Sequence, residues 1–170
     1  RLWVVENEIK YYRPKNDQRV IVDYSILTTK PRGSSYQHDV KINDVYEILT
    51  KNIFYIHSST QDSIGNDPIA IRDMWIGNDF LNVDFVYPGY SKMHYVNLVR
   101  DTTKTYTDGK LHLEFRHNAN DDYPSFNISG IVSFNLKETR KTGTNSVDLV
   151  IHTKEYDSSS PDKYYDFKYK

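Results

Sequence analysis

The chain has 170 residues, 22 Lys and Arg against 23 Asp and Glu, a net charge of −1 and no cysteine. Disulfides, thiol catalysis and cysteine-bound zinc are therefore excluded, and the well-mixed charge lacks the basic stripe that general nucleic-acid binding requires. No run approaches 18 apolar residues, so no segment reads as a membrane-spanning helix, and 15 Tyr against 2 Met tilt the composition toward strands.

In chain order, residues 2–12 read as a strand pair or strand–turn, beginning on Arg1 without a methionine, as in a processed or truncated product that starts inside a strand. A turn cluster at residues 14–17 precedes a strand over 19–27, with Val20, Val22, Tyr24 and Ile26 on one face. After a loop at 30–35, residues 36–42 resume the alternation. Asp44 followed by Glu47 has the form of a capping box, so residues 44–50 are expected to make one or two helical turns. A short strand over 53–56 closes the first half. Residues 57–68 (HSSTQDSIGNDP) hold one bulky apolar residue and supply the expected boundary between domains 1–66 and 67–170.

Beyond it, strands are expected over 69–76, 80–87 and 93–100. Asp108-Gly109 is expected to turn a hairpin between 103–107 and 111–117. The stretch 111–136 shows the period of two most clearly. Leu111, Leu113 and Phe115 share one face, and Phe126, Ile128, Val132, Phe134 and Leu136 share another. The polar loop between these two strands is long for a tight hairpin, which suits a crossing between sheets. Strands over 147–155 and 164–169 complete the set. The fold class is all-β: an N-terminal OB-like small barrel, with room for it to be incomplete, packed on a C-terminal seven-stranded Ig-like β-sandwich.

Several of these segments resemble the NigD-like family of bacterial cell-envelope lipoproteins, named for a protein associated with a bacteriocin. The matching stretches are RVIVDYSIL (19–27), DVKINDVYEILTK (39–51), MHYVNLVRD (93–101), LEFRHN (113–118) and GIVSFNL (130–136). The resemblance implies an OB-like domain followed by a β-sandwich, and export to the cell envelope, outer-membrane or periplasmic. It also implies attachment through an N-terminal lipid, outside this chain. It carries no catalytic residues. An immunity role against a toxin is the family's namesake association.

Candidate sites each have a plainer reading. Asn118, Asn120, Asp121 and Asp122 offer oxygens to a cation, yet they lack EF-hand spacing and also favour turns. His112 and Glu114 sit two apart on a strand face, with His94 as a distant third ligand, where zinc needs three or four. His57, Ser58 and Ser59 suggest a hydrolase but come without a nucleophile elbow. Asn127-Ile128-Ser129 matches an N-glycosylation acceptor, and Asp62-Ser63-Ile64 and Asp101-Thr102-Thr103 match a short O-glycosylation motif, with Ser63 in the linker the better acceptor. Of the aromatics, Tyr165, Phe167 and Tyr169 fit an inward face and Tyr164 an outward one, with Tyr11 and Tyr12 near the start. The expectation is a binding or structural protein, not an enzyme, without cofactor, meeting a protein or glycan at the cell surface. A carbohydrate-binding protein and a metal-dependent hydrolase are the alternatives.

Overall fold

Alternating apolar residues give twelve strands in the computed structural model, which describes residues 1–7, 9, 11–29, 35–57, 64–140, 143, 146–156 and 159–169. Two units separate by their contacts, Arg1–Thr50 and Lys51–Lys170.

The first unit is a three-stranded sheet of β1 (Leu2–Asn7), β2 (Val20–Thr29) and β3 (His38–Glu47), ordered β1-β3-β2. Strand β3 lies parallel to β1 and antiparallel to β2. Among the described residues these strands form an open sheet, not a closed barrel. Val40 is fully buried, and Asp39 beside it accepts a hydrogen bond from the Thr28 hydroxyl at 2.6 Å. Most of β2 stays exposed on both faces, so this unit holds little core.

The helix expected over 44–50 does not form. Strand β3 runs through it, with Val45 opposite Val22 and Glu47 opposite Val20. The β2 ladder satisfies backbone groups that an isolated turn would leave open, and it overrides a local capping signal. Asp44 instead accepts the Val45 N–H at 2.8 Å, and Glu47 pairs with Lys15 at 3.2 Å.

The second unit is a β-sandwich. One sheet has the order β4-β10-β7-β6, comprising β4 (Leu49–Asn52), β10 (Phe126–Asn135), β7 (Phe80–Gly89) and β6 (Ala70–Gly77). The other has the order β12-β11-β9-β8-β5, comprising β12 (Asp162–Tyr169), β11 (Val147–Lys154), β9 (Leu111–Asn118), β8 (Tyr95–Asp101) and β5 (Phe54–Ile56). Seven of these strands fall in 67–170, the number expected for the sandwich although the strand expected over 103–107 is not among them, and β4 and β5 are additions. Leu81, Val83, Val132 and Phe134 from the first sheet meet Leu98, Leu113, Phe115, Leu149 and Ile151 from the second in one buried cluster.

Strand β5 corrects the expected boundary. It pairs in parallel with β8, Phe54 opposite Val99 and Ile56 opposite Asp101, and Ile53 and Ile56 are buried. The division therefore falls at Thr50/Lys51, and residues 57–68 connect two strands of the same unit. The one bulky apolar residue of that connection, Ile64, is buried against Ile56 and Val99.

The expected hairpin at Asp108-Gly109 is also displaced. Residues 103–107 form no strand, and only Gly109 has positive φ, at 75°. The two positive φ angles that a type I′ turn needs belong to Asn78 and Asp79, 51° and 65°, which join β6 to β7. The connection from β9 to β10 does cross between sheets. Its second strand begins outside the core, however, with Phe126 and Ile128 exposed and burial starting near Val132. At the chain's end the expected faces hold. Tyr169 is buried, Tyr165 and Phe167 pack on the core, and Tyr164 points outward.

Two expectations follow. Phe134→Ala should cost about 3–5 kcal/mol in a urea melt through lost burial and the cavity left behind, whereas Ile26→Ala, exposed in β2, should stay within about 0.5 kcal/mol. A chain of residues 49–170, which keeps β4 and β5 whole, should melt cooperatively, and one of residues 67–170 at a lower temperature, because it lacks both.

Candidate functional site

The densest polar cluster lies where the β7–β8 and β9–β10 connections meet at one end of the sandwich. Pro88-Gly89 ends β7, and a side chain on Gly89 would press on Ile128, His94 and Tyr87 at 3.1–3.2 Å. Opposite, Asn120 and Asp121 take φ of 52° and 51°, a conformation that Asn and Asp tolerate. These turns aim Asp122 inward. Its carboxylate accepts the backbone N–H of Tyr90 at 2.5 Å and of Ser91 at 3.2 Å, and its side chain is only 3 % exposed.

Behind Asp122 runs a chain of imidazoles. His94 Nε2 lies 3.2 Å from Asp122 Oδ2, His94 Nδ1 lies 2.8 Å from His117 Nε2, and His117 Nδ1 lies 3.1 Å from the Pro68 carbonyl oxygen. The Tyr87 ring stacks on His94 at 4.3 Å and leans on His117 at 5.1 Å. The N–H donors of Tyr90, then those of Ser91 and His94, hold the Asp122 carboxyl well below the usual carboxylate range against the effect of burial. Burial pushes the His117 imidazole down, with the Pro68 carbonyl acting in the opposite sense. Burial and the Asp122 charge raise the Tyr87 hydroxyl.

The remaining loop residues brace this frame. Asn118 Oδ1 accepts the Asn120 N–H at 2.7 Å, the Lys92 ammonium donates to the Asn120 and Asp121 carbonyls, and Asp67 accepts the Ala119 N–H. Gly65, at φ 73°, lets the connection before β6 pass over Asn118, because a Cβ there would sit 2.7 Å from the Asn118 Cβ. Of the four residues that offer oxygen ligands, Asn118 and Asp122 turn side-chain oxygens onto backbone N–H groups, whereas Asn120 and Asp121 accept through their backbone carbonyls. Among the described residues no three His, Asp or Glu side chains are placed to hold a metal ion.

Above the frame stands an apolar surface. The Tyr90 and Phe126 rings stack at 6.2 Å with 30° between their planes, and both are more than 60 % exposed. Met93 and Tyr123, on the same two connections, are similarly open to solvent. Single exposed hydrophobics are ordinary, whereas here two of them, Tyr90 and Phe126, are in ring contact with each other.

The other candidates separate. Glu114 bonds Lys104 at 2.7 Å and Arg116 at 2.6 Å. Burial would raise its carboxyl, but these two cations win and hold it low. His112 bonds Asp108 at 2.8 Å and lies flat on Tyr106, 3.6 Å between ring centres, so His112, Glu114 and His94 each have different partners. His57 Nδ1 meets the Thr102 hydroxyl at 2.8 Å, but that hydroxyl donates to the Ile56 carbonyl and is no activated nucleophile. Ser58, Ser59, Asp62 and Ser63 lie outside the described residues. Tyr164 stacks on His152, and Tyr11 donates to Asp44. Sequence reasoning placed Asp122 in a polar loop but missed the His94–His117 pair, whose members are 23 positions apart with no shared motif.

An open three-stranded sheet followed by a nine-stranded sandwich with a braced loop end defines a two-domain all-β protein. Residues 1–48 match the NigD-like N-terminal OB domain and residues 52–169 the NigD-like C-terminal beta sandwich domain, so the chain belongs to the NigD-like family. Similar solved structures include a protein of unknown function from Bacteroides vulgatus, 30% identical with a TM-score of 0.83, covering 99% of this chain and 79% of that one. A candidate toxin-related protein from Parabacteroides distasonis is 33% identical with a TM-score of 0.81, covering 99% and 80%. A NigD-like immunity protein from Bacteroides caccae shares the fold at 18% identity and a TM-score of 0.74, covering 99% and 84%. No curated protein matches the chain.

Because the Asp122 carboxyl is held low, its contribution to stability is present above the ordinary carboxylate value of about 4 and is lost as pH falls through its lowered one. Asp122→Asn should therefore be destabilised relative to the parent at pH 7, with the gap closing in acid melts.

Proposed function

We propose that this protein is a non-enzymatic binding protein of the bacterial cell envelope that engages a protein partner through the Tyr90–Phe126 surface. The observation that carries this reading is the stacked, solvent-exposed ring pair seated on the braced Asp122 frame. Aromatic anchors held rigidly pay little ordering entropy on binding and dominate interface energies. Similarity to a candidate toxin-related protein, and a fold shared with a named immunity protein, favour a partner of toxin or toxin-associated type. Attachment through an N-terminal lipid, which the family resemblance implies, would lie outside these 170 residues. No helix among the described residues is long and apolar enough to cross a membrane.

A glycan partner is the weaker reading. Sugar rings favour flat aromatic platforms, and Tyr90 and Phe126 meet at 30°.

The test is photo-crosslinking from position 93 in native envelopes, followed by affinity measurement with the captured protein. Tyr90→Ala with Phe126→Ala should weaken capture by about 30-fold or more, as hot-spot loss does. Capture that survives both substitutions, or glycan-array binding abolished by them, would overturn the protein-partner reading.

A further inference from the structure

The outward face of the five-stranded sheet carries two tyrosines that the Tyr90–Phe126 surface does not use. Tyr106, from the β8–β9 connection, lies flat on His112 of β9, with 3.6 Å between ring centres and 1° between planes. Tyr164 of β12 stacks on His152 of β11, its ladder partner, at 4.9 Å and 22°. A carboxylate fixes each imidazole: His112 Nε2 lies 2.8 Å from Asp108, and His152 Nε2 lies 2.7 Å from Asp162. Asp108 also accepts the Lys110 N–H at 3.1 Å, which ties the connection to the start of β9. The imidazoles are largely covered, at 16 % and 23 % side-chain exposure, while Tyr106 and Tyr164 stay 44 % and 63 % exposed. Each tyrosine thus keeps one ring face on a histidine and turns the other to solvent.

The two rings belong to one patch. Val150 of β11 lies between His112 and Asp166 in the ladder, and His152, two residues on, lies between Glu114 and Tyr164. These positions share the outward side of the sheet, opposite Leu149 and Ile151 in the core. Burial raises the Tyr106 hydroxyl, Lys104 opposes the shift, and Glu114, Asp101 and Tyr164 are near enough to reinforce it. His112 sits near the start of β9 and Asn118 at its end, about 20 Å apart at the rise of a strand, so the patch is distinct from the braced loop end.

The charges around the rings select the ligand. They are already paired, Lys104 with Glu114 at 2.7 Å and Lys110 with Asp166 at 2.5 Å. A charged ligand would compete with these pairs, and a protein partner would have to bury them, whereas interface centres are depleted of charge. A neutral polyhydroxyl ligand does neither. An ionised carboxylate has about four acceptor sites, and Asp162 gives one oxygen to His152, so it retains capacity for hydroxyl donors. Ring C–H groups of a sugar carry slight positive charge and are drawn to the negative face of an aromatic ring. We propose that Tyr106 and Tyr164 form a carbohydrate-binding platform for an uncharged oligosaccharide, with a pyranose ring stacked on each tyrosine and hydroxyls donating to Asp108 and Asp162. A gluco-type ring, whose ring hydroxyls lie equatorial, presents C–H groups on both faces and fits this platform. Backed by His112 and His152, the tyrosines are set before the sugar arrives, which lowers the ordering entropy of binding.

The platform is independent of the Tyr90–Phe126 surface, and its test is calorimetry of the full chain. Cellohexaose, laminarihexaose and maltohexaose serve as neutral probes and polygalacturonate as the acidic one. At least one neutral probe should bind, with an affinity insensitive to added salt because no charge is neutralised. Tyr164→Ala should weaken that binding by about tenfold, and Tyr106→Ala with Tyr164→Ala by about 100-fold, the scale of one stacked ring each. Tyr106→Phe, which keeps the ring, should bind as the parent does, and so should Tyr90→Ala with Phe126→Ala. Should the double variant not fold, Tyr164→Ala alone decides, since Tyr164 is exposed on an edge strand. No binding by any neutral probe, binding shown by polygalacturonate alone, or neutral binding unmoved by Tyr164→Ala would each overturn the platform. Crosslinked capture of an envelope protein that is lost in Tyr164→Ala would assign this face to a protein instead.

Discussion

The contact between Phe115 of β9 and Phe134 of β10 is the one on which the sandwich depends. The rings meet edge to face at 5.9 Å, one from each sheet, and Phe85 of β7 leans on Phe115 at the same distance. Edge-to-face aromatic packing adds directional preference to area burial, so it fixes how the sheets register as well as how tightly they press. Gly130 makes room for it. Opposite Phe85 in the ladder, it would carry a Cβ only 2.8 Å from that ring, and the bare backbone lets the ring lie across β10. With the sheets fixed in this way, the β7–β8 and β9–β10 connections emerge side by side at one end.

Charge is handled by compensation at two places on β9. Glu114 sits between Lys104 and Arg116, and Asp101 reaches the same lysine at 3.5 Å. Three residues along, His117 enters the imidazole chain that ends on Asp122. In both clusters a withdrawn carboxylate is met by donors, which low-dielectric surroundings require. In the first unit Asp39 is a buried carboxylate, met by the Thr28 hydroxyl. The Lys15–Glu47 ion pair of that unit is exposed and contributes little.

Much of the sandwich was legible because alternation is a local property. Val132, Phe134 and Leu136 could be assigned inward from the pattern, and so could Tyr165, Phe167 and Tyr169. Where partners distant in sequence decide, the pattern misled. Residues 44–47 carry a helix-capping signature, but β2 claims them as a strand. Ile53 and Ile56 looked like the end of the first half, but their partner is β8, more than forty positions on. Phe126 and Ile128 continue an apolar face past the edge of the facing sheet, so alternation persists where burial does not. The site was half legible. Asp122 stood out as a polar loop residue, whereas its engagement with backbone donors and the His94–His117 pairing exist only once two loops and a strand converge.

Strand β9 lies between β8 and β11, and its pairing with β11 is parallel. A parallel neighbour cannot be reached by a tight turn. The chain must therefore pass through the other sheet, in β10, before Leu149 and Ile151 can close over Leu111 and Leu113. The centre of the five-stranded sheet is thus completed by a strand whose residues follow their β9 partners only after β10 has been laid down in the other sheet. Such long-range closure delays folding, because loop entropy is spent before the rewarding contacts form. Until β11 arrives, β9 presents an unpaired edge, and the β11–β12 hairpin acts as the piece that commits the whole domain to its folded state.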